Sequence, residues 1–258
     1  MIQFSLNRFG KLARWSLTCD KRYYVKSFLQ GFVIMLLGFL FFPKMNSSGN
    51  HSSGYAMSSI MVVVMFLVTI VLGSSFMFYS MDNDHDRQNL MMLPASNFEK
   101  YLIRYATWIF LIPLYLVAFF AADVLQYVIH WVLGHDYVVF MTSVLTDNVS
   151  DSWNAIPQYS QQRLARGLVI LALWMHSFYA LGATFFRSRK YNWMSTTLVL
   201  ILGFTFLTVS LTWPYVNQTW WNYNGYSNWL FLLWTLLNFW LSYKFFCRMQ
   251  VIGKYINL

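Results

Sequence analysis

Apolar residues run along this chain in six long blocks, and the polar residues gather between them. A helix needs about 20 mostly apolar residues to cross a bilayer. The blocks predict spans over about 23–42, 56–79, 101–122, 167–186, 193–213 and 228–246. The uncharged part of the first, Phe28–Phe42, is short, and Lys26 is placed to snorkel toward headgroups. The third stops near Ala122 or continues to Leu133 as one long or bent helix. The expected fold is all-α, a six-helix transmembrane bundle in one domain over residues 1–258. No stretch between the blocks is polar and long enough to fold as a separate soluble domain.

Composition agrees with that pattern. Hydrophobic residues make up 58% of the chain and charged residues 10%. A soluble domain carries roughly 45–50% apolar and about 25% charged residues. Water cannot solvate a surface so poor in charge, so lipid must cover much of it. The first 27 residues carry six cations and no continuous apolar core, so no cleavable signal peptide is expected.

The net charge of +9 is unevenly placed. Arg8, Lys11, Arg14, Lys21, Arg22 and Lys26 precede or open the first span. Arg87, Lys100 and Arg104 follow the second, Arg187, Arg189 and Lys190 the fourth, and Lys244, Arg248 and Lys254 the sixth. Those fifteen share one side, against Lys44, Arg163 and Arg166 on the other. Cytoplasmic loops are enriched in Lys and Arg. Both termini are therefore expected in the cytoplasm, and the basic balance reads as topology, with no nucleic-acid partner. Cys19 and Cys247 fall on the cytoplasmic side, where a disulfide is not expected. Trp213, Tyr215, Trp220, Trp221, Tyr223, Tyr226 and Trp229 sit at span ends, as interfacial aromatics do. A stacking platform for a ligand is the alternative reading.

Two cytoplasmic segments have their own patterns. Ile2, Leu6, Phe9, Ala13 and Leu17 recur at helical spacing, with Arg8, Lys11 and Arg14 between them. That is an amphipathic helix over about 2–17, suited to lying along the interface, with Gly10 its weak point. The loop over 81–97 opens with Asp82, Asp84 and Asp86 around His85 and runs through Arg87–Leu93 to Pro94. Ser96 and Glu99 have capping-box spacing, so the third span should begin near Asn97. Pro94 cannot continue a helix, leaving Arg87–Leu93 as a separate short helix or turn. Leu90, Met91, Met92 and Leu93 would there need a cover of headgroups or partner protein. The outer loop over 134–166 holds about 33 residues, long enough to contain short helices. Its Asn-x-Ser/Thr triplets, like Asn217-Gln-Thr219 further on, carry no weight.

Chemistry-bearing motifs are sparse. No Gly-x4-Gly-Lys-Ser/Thr, His-Glu-x-x-His, paired Cys-x-x-Cys or Gly-x-Ser-x-Gly occurs, so no catalytic residue and no metal site is predicted. Of the five histidines, including His51, only His130 and His135 are close, with Asp136 adjacent; a wet interfacial pair is favoured over a metal site. Two intramembrane polar residues are candidates. Asp123 interrupts an apolar run, and an ionisable group at membrane depth is functional by default. It lies roughly 33 Å along the third span, where a water-facing end-of-helix carboxylate is expected. His176 lies near the middle of the fourth span, where an interhelical hydrogen bond is expected.

The chain resembles the permease subunits of ABC exporters in Bacteroidetes-type bacteria. The residues that carry this are Arg87-Gln-Asn-Leu-Met-Met-Leu-Pro-Ala-Ser-Asn-Phe-Glu-Lys-Tyr-Leu102, then Leu181-Gly-Ala-Thr-Phe-Phe-Arg-Ser-Arg-Lys190, and Tyr243-Lys-Phe-Phe-Cys-Arg-Met-Gln-Val251. With the six-span layout, the resemblance covers essentially the whole chain. It implies a homodimer or heterodimer of permeases in a bacterial inner membrane. Two separate ATPase subunits would bind the ATP and Mg, leaving this chain without cofactor or catalysis. It also implies a coupling helix after the second span that docks in a groove of the ATPase. Arg87, Asn89, Leu90, Met91 and Leu93 would make that contact, with Pro94, Ser96 and Glu99 setting its angle to the third span. The N-terminal helix matches the family's interfacial helix. The long outer loop departs from the family, where the structured external region lies between the fifth and sixth spans. Two other readings stand beside this one: a membrane enzyme using His85, His130, His135 or Asp123, and a non-transporting scaffold or sensor whose outer loop binds a ligand. An amphipathic or lipid-like cargo would suit the aromatic and Met-rich spans.

Overall fold

The computed structural model describes residues 4–45, 51–79, 84–134, 139–186, 192–211 and 226–248. The predicted aromatic cluster from Trp213 to Tyr223, the Asn217 triplet, His135, Asp136 and Arg187–Lys190 lie outside the described residues, as do the side chains of His51, His85, Arg87 and Tyr226. Among the described residues every element is helical: α1 (Leu6–Cys19), α2 (Lys21–Met45), α3 (His51–Leu72) ending in a 3-10 segment (Gly73–Phe78), α4 (Asp84–Met92), α5 (Asn97–Val132), α6 (Met141–Asn154), α7 (Gln158–Phe185), α8 (Asn192–Leu211) and α9 (Tyr226–Arg248).

Five helices are long and apolar enough to cross a membrane: Lys21–Phe42, Tyr55–Phe78, Asn97–Val132, Ser160–Phe185 and Trp229–Arg248. The expected fifth span, 193–213, coincides with α8, whose described apolar part, Asn192–Gly203, is shorter. The exposure pattern is that of helices meant for lipid. Leu236 and Leu202 are 69% and 60% exposed, whereas Asn238, Ser242 and Ser58 are at most 1% exposed. Water would favour the reverse.

Three elements refine the sequence-based boundaries. The second span ends in a 3-10 segment, because Gly73-Ser74-Ser75 holds α-helix weakly and its groups bond elsewhere. The third takes the longer of its two expected extents, one 36-residue helix about 54 Å long, until Gly134 at φ +67 ends it. The 134–166 loop is largely helical. It contains α6, and α7 begins nine residues before the expected fourth span, because its polar first turns are still helical.

The chain divides into two compact units. One comprises Met1–Thr18, Ile70–Trp108 and Arg166–Leu258; the other comprises Cys19–Thr69 and Ile109–Ala165. In the first, α5, α7 and α9 are joined by buried hydroxyls and amides. Tyr101 donates to Ser242 at 3.1 Å, Thr184 donates to Ser242 at 3.2 Å, and Ser242 donates to the Ala180 carbonyl at 2.9 Å. Asn238 donates to Ser177 at 3.1 Å. With no water in a bilayer core, polar groups on apolar helices are satisfied by each other. Helices α7 and α8 touch where Gly182 faces Thr196. The second unit packs Met35, Phe39, Tyr55, Val62, Phe119, Ala122 and Met141 into one apolar core.

A Cβ at position 182 would lie 2.0 Å from Thr196 Oγ1 and 2.9 Å from its Cβ. Thr196 is buried and β-branched, so it cannot swing aside. Gly182→Ala should therefore cost about 1–3 kcal/mol, read as a lower thermal midpoint in detergent. Adding Thr196→Ala should recover part of the loss.

Candidate functional site

The segment between the second and third spans singled out in the sequence is built around one carboxylate. Ser96 and Glu99 form the expected capping box: the Ser96 amide donates to Glu99 Oε2 at 2.7 Å, and the Glu99 amide donates to Ser96 Oγ at 3.2 Å. The same carboxylate receives Arg8 as a two-pronged donor, Nε to Oε2 at 2.9 Å and Nη2 to Oε1 at 2.7 Å. The Ser5 amide donates to Oε1 at 2.8 Å. Four N–H donors thus converge on Glu99, which has no solvent exposure. The hydrogen bond from Arg8 to Glu99 holds the guanidinium further toward its charged form. Sequence spacing revealed the capping box because its partners are three residues apart. Arg8 and Glu99 are 91 apart, and no local signal links them.

That contact fixes the N-terminal helix. Leu12 of α1 packs with Ala95 and Ile103, and Phe9, Ala13, Trp15 and Leu93 surround them. Ser16 accepts from Arg104 Nη2 at 2.7 Å. The expected single apolar face, Ile2, Leu6, Phe9, Ala13 and Leu17, is therefore divided. Phe9 and Ala13 turn toward the protein with Leu12, while Leu6 and Leu17 remain exposed, and Ile2 lies outside the described residues.

Helix α4 has two opposite faces. Leu90 is fully buried with Met77, Phe78, Tyr101, Ala183 and Phe246, and Met91 and Leu93 pack against that cluster. The expected exposure of Leu90 is corrected: it anchors α4 to its own chain, where Tyr101 of α5, Ala183 of α7 and Phe246 of α9 cover it. Lys100 Nζ donates to the Met91 carbonyl at 2.6 Å, satisfying an end group of α4. What remains outward is Asn89, Met92 and Pro94, with Met92 79% exposed. Arg87 belongs to α4.

Asp123 is not the water-facing carboxylate the sequence suggests. It is 2% exposed. It accepts from the Met141 amide at 2.6 Å, the Thr142 amide at 3.0 Å, the Thr142 hydroxyl at 2.6 Å and Gln126 Nε2 at 3.2 Å. Helix α6, within the loop where short helices were expected, brings its first amides to this acid, and a carboxylate at a helix N-terminus satisfies amides with no intrahelical partner. His130 is likewise buried, with Nδ1 3.3 Å from the Tyr55 hydroxyl, and is not the wet residue expected. His176 meets its expectation: Nε2 lies 2.8 Å from the Tyr105 hydroxyl and Nδ1 2.5 Å from the Ile70 carbonyl oxygen. Among the described residues, no cluster of His, Cys, Asp and Glu could hold a metal ion.

No family model, no curated protein and no solved structure matches this chain.

Removing the charge at position 99 should free α1. In Glu99→Gln, amide exchange of α1 should rise at least several-fold, and Arg8→Ala should reproduce it. Ser96→Ala should cost about 1 kcal/mol without releasing α1. Asp123→Ala, which strands buried amides of α6, should cost roughly 2–4 kcal/mol and speed exchange at 141–145.

Proposed function

We propose that this chain is a permease subunit of an ATP-driven exporter, working as a dimer with separate ATPase subunits. Five helices able to cross a membrane, with α8 as the sixth, supply the translocating part. The charge distribution orients both termini toward the cytoplasm of a bacterial inner membrane. The exposed remainder of α1, with Leu6, Leu17, Lys11 and Arg14, then lies along the inner interface. This chain carries no catalytic group; ATP and Mg belong to the partner.

One observation carries the reading. Helix α4 is fastened inward through Leu90 and Lys100, and it offers Asn89 and Met92 outward immediately before the capped start of α5. A handle has to be fixed to what it moves and bare where it is gripped, and α4 meets both requirements. The ATPase would bear on Asn89, Met92 and Pro94, with Arg87 beside them. Met91 and Leu93 would pass the push to the core, and Ser96 and Glu99 would keep the angle between α4 and α5. ATP-driven closure of the partner then reaches α5 through packed side chains. The cargo fitting the apolar, aromatic spans is amphipathic or lipid-like.

The test is recovery of an ATPase, encoded beside this chain, when the full-length protein is purified from its own membrane. Met92→Glu should reduce that recovery about tenfold while leaving the yield and elution of the permease unchanged. Leu90 is unsuitable for this purpose, since a charge there would be buried and unpaired. Absence of any ATPase, or full recovery with Met92→Glu, removes the basis for the assignment.

A further inference from the structure

The 3-10 segment at the end of α3 is held from outside. A 3-10 turn has poorer hydrogen-bond geometry than an α-helix and rarely runs beyond three or four residues. This one covers six, Gly73–Phe78. Its surroundings account for the length. The Ile70 carbonyl, at the junction with α3, receives His176 Nδ1 at 2.5 Å. A carbonyl only accepts, so Nδ1 carries a proton, and Nε2 faces the Tyr105 hydroxyl. In return, Ser74 Oγ donates to the backbone carbonyl of His176 at 2.7 Å. Asn192 Nδ2, from the start of α8, donates to the Ser75 carbonyl at 2.7 Å. Ser75 Oγ turns back to the Leu72 carbonyl at 2.7 Å. Side chains of α7 and α8 thus engage carbonyls at both the junction and the middle of the segment.

The local sequence allows another state. Gly-Ser-Ser is a weak former of either helix, and its small side chains can rotate past neighbours. Trp108 lies where a Cβ on Gly73 would come within 3.1 Å, so a larger residue there would be wedged. Rise is about 2.0 Å per residue in a 3-10 helix and about 1.5 Å in an α-helix. Rewinding six residues would shorten the segment by about 3 Å and turn its end by about 120°.

We propose that Gly73–Phe78 is a convertible segment, clamped as a 3-10 helix by His176, Ser74 and Asn192, whose rewinding draws in and turns α4. Its role in transport rests on the reading of α4 as the ATPase handle; the conversion itself does not. His176 is here a positioning residue: it holds a backbone state and touches no cargo.

The test uses the full-length chain in lipid nanodiscs without any partner. Spin labels go on Met92→Cys in α4 and Leu173→Cys in α7, both exposed, in a Cys19→Ser, Cys247→Ser background. The parent should give one distance. His176→Phe, which cannot donate to Ile70, should shift or split it by about 3 Å, with changed amide exchange over 73–78. His176→Asn, which keeps a donor in reach of Ile70, should restore the parental distance, whereas a space-filling role predicts the opposite order, with His176→Phe nearer the parent. A His176→Phe distribution superimposable on the parent overturns the proposal. If His176→Phe does not fold, the Ser74→Ala, Asn192→Ala pair is read in the same way, and an unchanged distance again overturns it. Failure of ATPase recovery would leave this result intact, and the reverse also holds.

Discussion

A polar group on an apolar helix must find its partner within the protein, and the groups that reach another helix organise this structure. Lipid supplies no hydrogen bonds, so hydroxyls and amides in the spans either bond back to their own helix, as Thr235 does to the Phe231 carbonyl, or reach across to another element. Asn238 and Ser242 are good examples. They are four residues apart on one face of α9, and they engage Ser177, Thr184 and Tyr101 on α7 and α5. The large apolar side chains of the same helix point the other way. Apolar burial would drive little association between helices already in lipid, so position and register come from these bonds together with close contacts such as Gly182 against Thr196.

The same economy of partners appears at the start of α5. Glu99 serves at once as a cap for α5, as the counter-ion of Arg8 and as the acceptor for the amide of Ser5. One buried charge with four donors ties α1 to the first turn of the longest helix. Removing any donor leaves the others in place, but removing the acid strands all of them. The cost of an unpaired buried group makes such a site strongly directional: it specifies where α1 sits far better than the apolar contacts of Leu12 and Phe9 could.

Much of the architecture was legible in the sequence where the signal is local. Five of the six apolar blocks coincide with membrane-capable helices, the Ser96–Glu99 spacing marked the start of α5, and the mid-span position of His176 foretold its hydrogen-bonded role. What escaped were features set by distant partners. Leu90 reads as exposed in a polar loop, and only the arrival of Tyr101, Ala183 and Phe246 buries it. Asp123 reads as solvated because its partner, the N-terminus of α6, lies in a stretch with no strong apolar period. The 3-10 turn needed donors about a hundred residues away, and Gly-Ser-Ser alone does not announce it.

Helix α6 is fastened at each end by a neighbour. Asp123 of α5 holds its first amides, and Gln161 of α7 donates to the Trp153 and Ile156 carbonyls at its far end, both at 2.9 Å. Asn148 pins its middle to Ser59 of α3 at 2.9 Å. A helix of 14 residues is a rod of about 21 Å, and one bolted at three points behaves as a brace. Sliding the Asp123 turn of α5 against the Gln161 turn of α7 would have to break a bolt or carry the whole rod along. The region around α6 therefore resists shear between those turns, and any motion reaching it arrives as a concerted displacement of α3, α5 and the foot of α7.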